Sequence, residues 1–188
     1  MKKLVFIISS FVTILFTGCS KEFLDVNENP NASSEAAIDN VLPSTQVYTS
    51  YILGNHFYII GSLWSQYTTQ NPTSNQYNNY DSYSFISSDM ERVWRDTYAG
   101  SLKDLDFIEK TATKEGKSNY VAIAKILKAY NYQLLTDAYG DIPFSQALQA
   151  ESGVSYPAFD TQESVYNGII TLLDEAIANI IVDPTDPT

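Results

Sequence analysis

The chain is short of the residues on which most protein chemistry rests. It has one cysteine, Cys19, and one histidine, His56. A single cysteine excludes an intrachain disulfide framework, and a lone histidine without a cysteine pair argues against a zinc site. Basic residues are also scarce: 11 Lys and Arg stand against 22 Asp and Glu, a formal net charge of −11. Such a chain repels phosphate backbones, which argues against nucleic-acid binding. It is not drawn electrostatically to an anionic lipid surface either. No nucleophile-elbow motif is present. The many carboxylates could supply a glycosidase pair, but no spacing singles two of them out, and most belong to solvated helix faces. The sequence points to no cofactor. What is abundant is tyrosine, with 14 residues, many set among Asn, Gln, Ser and Thr. Aromatic area beside amides and hydroxyls suits a polar, neutral ligand. The 188 residues, 44% of them hydrophobic, are enough for one domain with a core and argue against overall disorder.

Met1-Lys2-Lys3 is a short positive start, Leu4 to Phe16 is almost uninterruptedly apolar, and Thr17-Gly18 precede Cys19. This is signal-peptide architecture, and the run is shorter than the ~20 residues a membrane-spanning helix needs. A cysteine directly after the small residues resembles a bacterial lipobox, with Phe16 where leucine is usual. In that layout residues 1–18 are removed and Cys19 carries the lipid. The alternative is a plain signal with a chance cysteine; the only cysteine falls at the one position the chemistry needs. Several acyl chains on one residue anchor stably where one does not. Residues 19–33, rich in Asn, Pro and Glu, then read as a tether.

Residues 34–188 read as helices joined by loops. Ser34 caps a short helix over 35–42, and Pro43 opens a second. Tyr51, Gly54, Tyr58, Gly61 and Trp64 follow Val47 along one helical face. Ser88-Asp-Met-Glu91 has capping-box spacing and opens a helix with Met90, Trp94, Tyr98 or Thr97, Ser101, Leu105 and Ile108 inward, ending near 114–116. Ser118 opens the strongest helix, in which Tyr120, Ile123, Ala124, Leu127, Tyr130 or Asn131, Leu134 and Ala138 keep helical spacing, ended by Gly140 and Pro143. Asp160-Thr-Gln-Glu163 has capping-box spacing before a helix burying Val165, Ile169, Leu172, Leu173, Ala176 and Ile180. Ala124 and Ala129 let these last two helices approach closely. A short extended pair around Phe144 and Tyr156 is the one β feature the pattern allows. The class is mostly α, resembling tetratricopeptide helix pairs with long loops.

Residues 65–87 form a long loop in which Tyr67, Tyr77, Tyr80, Tyr83 and Phe85 alternate with amides and hydroxyls. Sugars offer apolar faces to such rings and vicinal hydroxyls to such amides. Trp64, Gln66, Tyr67, Asn71, Asn75, Tyr77 and Tyr80 are therefore the candidate ligand contacts. The competing reading makes Trp64 and some tyrosines core residues and the loop a surface segment. His56 reads as a packed or surface histidine.

Ala124 to Leu148, AKILKAYNYQLLTDAYGDIPFSQAL, carries a helix followed by Tyr-Gly-Asp-Ile-Pro-Phe. It resembles the SusD/RagB family of outer-membrane nutrient-binding lipoproteins. CSKEFLDVNENP at the lipidated start, Glu91-Arg-Val-Trp94 with Tyr98, and Phe159 to Ala176 are similar to that family in the same order. The resemblance implies a cell-surface lipoprotein of the outer membrane, not an enzyme. It would bind a glycan, oligosaccharide or peptide and pass it to a SusC-like TonB-dependent transporter. It also implies that the chain is the N-terminal part of a longer helical domain, incomplete at its C-terminus. A surface hydrolase and a helical scaffold for protein partners are the alternatives. Within the motif, Gly140, Asp141 and Pro143 read as a structural corner rather than a ligand site.

Overall fold

A computed structural model of the chain describes residues 36–182; the signal segment, Cys19 and the tether lie outside the described residues. The helices are α1 (Ile38–Tyr51), α2 (Tyr58–Trp64), α3 (Asn78–Asp81), α4 (Ser87–Arg95), α5 (Lys103–Glu115), α6 (Ser118–Tyr139) and α7 (Gln162–Asn179). A π-helical stretch, Ile52–Phe57, joins α1 to α2, and another, Asp96–Leu102, joins α4 to α5. Each pair therefore runs on as one long rod. The mostly helical expectation holds, and the described residues contain no strand beyond a single antiparallel bridge. That bridge pairs Ile142 with Asp160, close to the expected extended pair but two residues before Phe144 and four after Tyr156.

The central element is α6. Its N-terminal half packs through Val121 and Ala124 onto Ile38 and Leu42 of α1 and Leu105, Ile108 and Ala112 of α5. Its C-terminal half packs through Ala129, Tyr132 and Leu135 onto Val165 and Ile169 of α7, and onto Leu102 and Ile142. The α6–α7 pairing is as expected, but Ala124 serves the opposite side of α6. A helix with neighbours on both sides buries more than one stripe, so Lys128, Asn131 and Thr136 go inside as well. Each is paired. The Asn131 amide donates to Thr49 Oγ1 at 3.2 Å and to the Leu127 carbonyl at 2.8 Å, and Thr49 shares a 2.8 Å hydrogen bond with Ser101. Thr136 donates to the Gly140 carbonyl at 2.7 Å.

Five local expectations are corrected. Residues 38–51 form one helix with Pro43 inside it. The proline's missing N–H leaves the carbonyl of Asp39 open near the helix start, and Asp39 is exposed to water. The buried face of α1 and α2 is Ile38, Leu42, Thr45, Thr49, Ile52, Ile60 and Leu63, while Val47 is 70% exposed and Tyr51 and Tyr58 also face out. The two threonines hid this stripe because their hydroxyls are satisfied locally and across the core. At α4 it is Asp89, one residue into the expected box, that accepts the Ile86 N–H at 2.8 Å. At α7 the N-cap is Thr161, which accepts from Ser164 N–H at 3.3 Å. On α7 itself Val165, Ile169 and Ala176 are buried as expected, but Leu173 and Ile180 lie exposed beside Ile170 and Ile177.

Asp160 is free for another task, which is to lock the corner between α6 and α7. Its carboxylate accepts from Phe144 N–H at 2.9 Å, Ser145 N–H at 2.8 Å and Ser145 Oγ at 2.8 Å. Burial opposes its charge, yet the donors from Ser145 and Phe144 hold it below the ordinary carboxylate value. Asp141 accepts Gln162 N–H at 2.9 Å, which satisfies one of the orphan donors at the start of α7. Gly140 turns the chain with φ of +75° and ψ of −116°. A corner role for Gly140 and Asp141 is what the geometry displays.

Lys128 is 8% exposed and extends from α6 to α5, 2.9 Å from Asp106 and 2.7 Å from Glu109. Lys110 also pairs with Asp106 at 2.6 Å, and Lys125 with Glu109 at 2.8 Å. Burial disfavours both carboxylates, but these ammonium partners outweigh it and lower both from their ordinary values of 3.8 and 4.5.

Two outcomes are expected. Groups depressed on folding stabilise the protein above their unfolded values and lose that contribution as pH falls through the folded ones. Urea midpoints should therefore hold above pH 4.5 and decline below it; Lys128→Met, which removes one ammonium from each acid, should make the decline shallower. Gly140→Val should cost about 1–3 kcal/mol, since a β-branched residue resists positive φ; thermal melting reads this directly.

Candidate functional site

A cavity lies where the α1–α2 rod, the loop after it and α4 converge. It has a volume of about 450 Å³. The π stretch contributes Asn55 and His56, and Tyr51 precedes them. The loop contributes Gln76, Tyr77 and Tyr80, and α4 contributes Asp89, Arg92 and Val93. An added residue per turn re-aims side chains along a helix, and such π segments are frequent at functional sites. Here the two π stretches face each other: His56 Nε2 on one lies 3.2 Å from Asp96 Oδ2 on the other. Arg95 donates from Nε to the second oxygen of Asp96 at 3.0 Å. Tyr51 packs edge-on to the His56 ring at 5.4 Å.

The loop over the cavity is held by its own side chains. Gln70 is the hub: its amide donates to Ser74 O at 3.0 Å and to Asn78 Oδ1 at 2.5 Å, and its oxygen accepts the Tyr77 N–H. Thr69 donates to Asp81 at 3.0 Å. The loop is stapled to α4 by Asn79, which donates to Asp89 Oδ2 at 3.2 Å, and by the Tyr80 hydroxyl, which donates to the Asp89 carbonyl. Burial raises the Tyr80 phenol above its ordinary value, and the charge of Asp89 adds to this while Arg92 opposes it. Tyr80 is thus a neutral donor at physiological pH.

Of the seven candidate contacts, the structure brings Tyr77 and Tyr80 into the cavity, their rings 6.1 Å apart. Trp64 packs instead on Phe85 at 4.9 Å and against the Ile60, Met90 and Val93 cluster. Its carbonyl accepts from Tyr83 OH at 2.5 Å. Gln66 ends α2 with φ of +57°, and Tyr67 projects outward, 90% exposed. Asn71 closes a turn by accepting from Thr73 N and Oγ1, each at 3.0 Å, and Asn75 lies exposed. Sequence reasoning missed Asn55, Gln76 and Arg92 and set His56 aside. Asn55 and His56 sit on a helix that reads as regular, and only the extra residue of the π turn aims them at the loop.

The other flank of α4 forms a shallower groove of about 380 Å³ over Met90, Glu91, Trp94 and Tyr139. Trp94 meets Tyr98 at 4.9 Å, Tyr139 at 5.1 Å and Phe159 at 5.9 Å. Burial raises the phenols of Tyr98 and Tyr132, and pushes Tyr139 up to about 12. As neutral donors, Tyr98 bonds the Pro143 carbonyl at 2.6 Å and Tyr139 the Met90 carbonyl at 2.6 Å. These contacts fix α4 to α6 and to the corner. Among the described residues no cluster of His, Cys, Asp or Glu is placed to hold a metal ion.

Helical rods carrying a loop-covered, tyrosine- and amide-lined cavity define a helical protein with a candidate ligand site. Residues 30–187 match the SusD-like family described as starch-binding, associating with the outer membrane, and the chain belongs to that family. A solved SusD/RagB family protein from Bacteroides thetaiotaomicron VPI-5482 is 27% identical and superposes with a TM-score of 0.67. The match covers 77% of this chain and 30% of that one, so the chain spans under a third of that relative's length. No curated protein matches the chain.

Gln70→Ala should release Tyr77 from its backbone anchor. With about 0.5–1.5 kcal/mol net per lost hydrogen bond, amide exchange across residues 70–80 should speed up at least several-fold while α6 keeps its protection.

Proposed function

We propose that the chain is the part of a lipid-anchored outer-membrane protein that captures a nutrient, a glycan or oligosaccharide or else a peptide, and delivers it to a SusC-like TonB-dependent transporter. It carries out no chemistry on that ligand. The observation that carries this reading is the cavity beneath the loop, where Tyr51, Tyr77 and Tyr80 meet Asn55 and Gln76. Tyrosine rings supply apolar faces for sugar C–H groups, and side-chain amides pair with adjacent hydroxyls. Family membership supports a binding role at the outer membrane. The lipobox-like placement of Cys19 supports anchoring by acyl chains, and an anchored, acidic chain would stand off the lipid surface on the tether of residues 19–33.

A glycan array probed with the purified protein tests binding. Tyr77→Ala should weaken the bound glycan by about tenfold, the order of one lost aromatic contact; binding unchanged by this substitution would place the ligand elsewhere. Cys19→Ala should shift the protein from the membrane fraction to the soluble one without changing its circular dichroism; continued membrane retention would refute the anchor.

A further inference from the structure

The cavity beneath the loop is lined by one permanent cation, Arg92, and one carboxylate, Asp89. They lie three residues apart on α4, yet they do not pair. The Asp89 carboxylate is turned to the helix start and the loop, accepting from Ile86 N–H at 2.8 Å and Asn79 Nδ2 at 3.2 Å. Asp96, four residues on from Arg92, is held by His56 at 3.2 Å and Arg95 at 3.0 Å, and Glu91, next to Arg92 in sequence, lines the groove on the other flank of α4. Among the described residues the Arg92 guanidinium has neither an ion pair nor a hydrogen bond. Lys103 and Lys114 lack an ion pair too, but of these three cations Arg92 is the one that lines the cavity.

A ligand seated in the cavity strips water from Arg92. Doing so without supplying a counter-charge is unfavourable, because a desolvated cation must be paired. A guanidinium is the side chain best matched to a planar carboxylate or to a sulfate, which it grips through two parallel hydrogen bonds. Around it, Asn55, Gln76 and the tyrosine hydroxyls suit the remaining ring hydroxyls.

We infer that the ligand of this cavity is an anionic saccharide, a uronate or a sulfated sugar, whose acidic group is held by Arg92. The inference rests on the saccharide-binding reading above and narrows it. It replaces the neutral ligand to which composition alone points, since composition counts residue types and does not show which charge is left unpaired.

The test is an array of matched pairs: tetragalacturonate and its carboxyl-reduced form, and a chondroitin sulfate oligosaccharide and its desulfated form. It is probed with the wild-type protein and Arg92→Gln. Arg92 is exposed, so the variant should keep the wild-type melting temperature. An acidic member should bind at least about tenfold more tightly than its neutral twin, the order of a charge-assisted hydrogen bond. Arg92→Gln should erase that difference, and added salt should reduce it. Equal binding of both twins, or acidic binding that survives Arg92→Gln, would overturn the inference and leave saccharide binding standing. Failure of every saccharide to bind would overturn both.

Discussion

Lys128 carries its ammonium into the middle of the helical body, where Asp106 and Glu109 on α5 meet it at 2.9 and 2.7 Å. The same constraint recurs along α6. A helix packed on both sides must bury whatever lies between its apolar stripes, and a polar group taken in costs free energy unless it finds a partner. Asn131 reaches Thr49, and through it Ser101, and so joins α6 to both long rods. Thr136 ties the end of α6 to Gly140 and, through its carbonyl, to Gln162 of α7. These pairings permit one rotation of α6 about its axis, and the neighbouring helices take their positions from it.

From the end of α6 the constraint passes to the cavity through aromatic rings. Tyr139 donates to the Met90 carbonyl and packs edge-on against Trp94, while Tyr98 reaches across to Pro143. The corner held by Asp160 is thereby joined to α4, whose opposite flank bears Asp89 and Arg92. The second wall comes from the π stretch at 52–57, docked on the π stretch of the neighbouring rod by His56 and Asp96. The loop closes the space because Gln70 and Asn79 bind it to itself and to α4. Geometry at the cavity is therefore set by core packing on one side and by a polar loop network on the other.

How much of this was legible depended on the range of the interactions involved. The span of α6, the positive φ at Gly140 and the inward face of α4–α5 follow from spacing and capping within a few residues, and they appear as expected. The face of α1–α2 departs from the expected one because Thr45 and Thr49 are polar in composition but satisfied inside. The second side of α6 was missed for the same reason. Of the loop residues, Tyr77 and Tyr80 line the cavity whereas Trp64 and Gln66 serve the helix end. All of them share one composition, and their roles diverge only through the hydrogen bonds of Gln70 and Tyr83.

By itself the sequence determined the helical class, the family pattern from Trp94 to Ala176, and the acidic charge balance, because each is carried by residue type and local periodicity. It also held the Cys19 motif, which is a matter of order along the chain. Only the tertiary structure decided that Asn55, Tyr77, Tyr80 and Arg92 share one cavity, since they come from three separate elements across 38 positions of sequence. It also decided that the cation lining this cavity, Arg92, has no ion pair. Whether a charge is paired depends on distances between elements, and those are set by packing around α6 rather than by any neighbour in the chain.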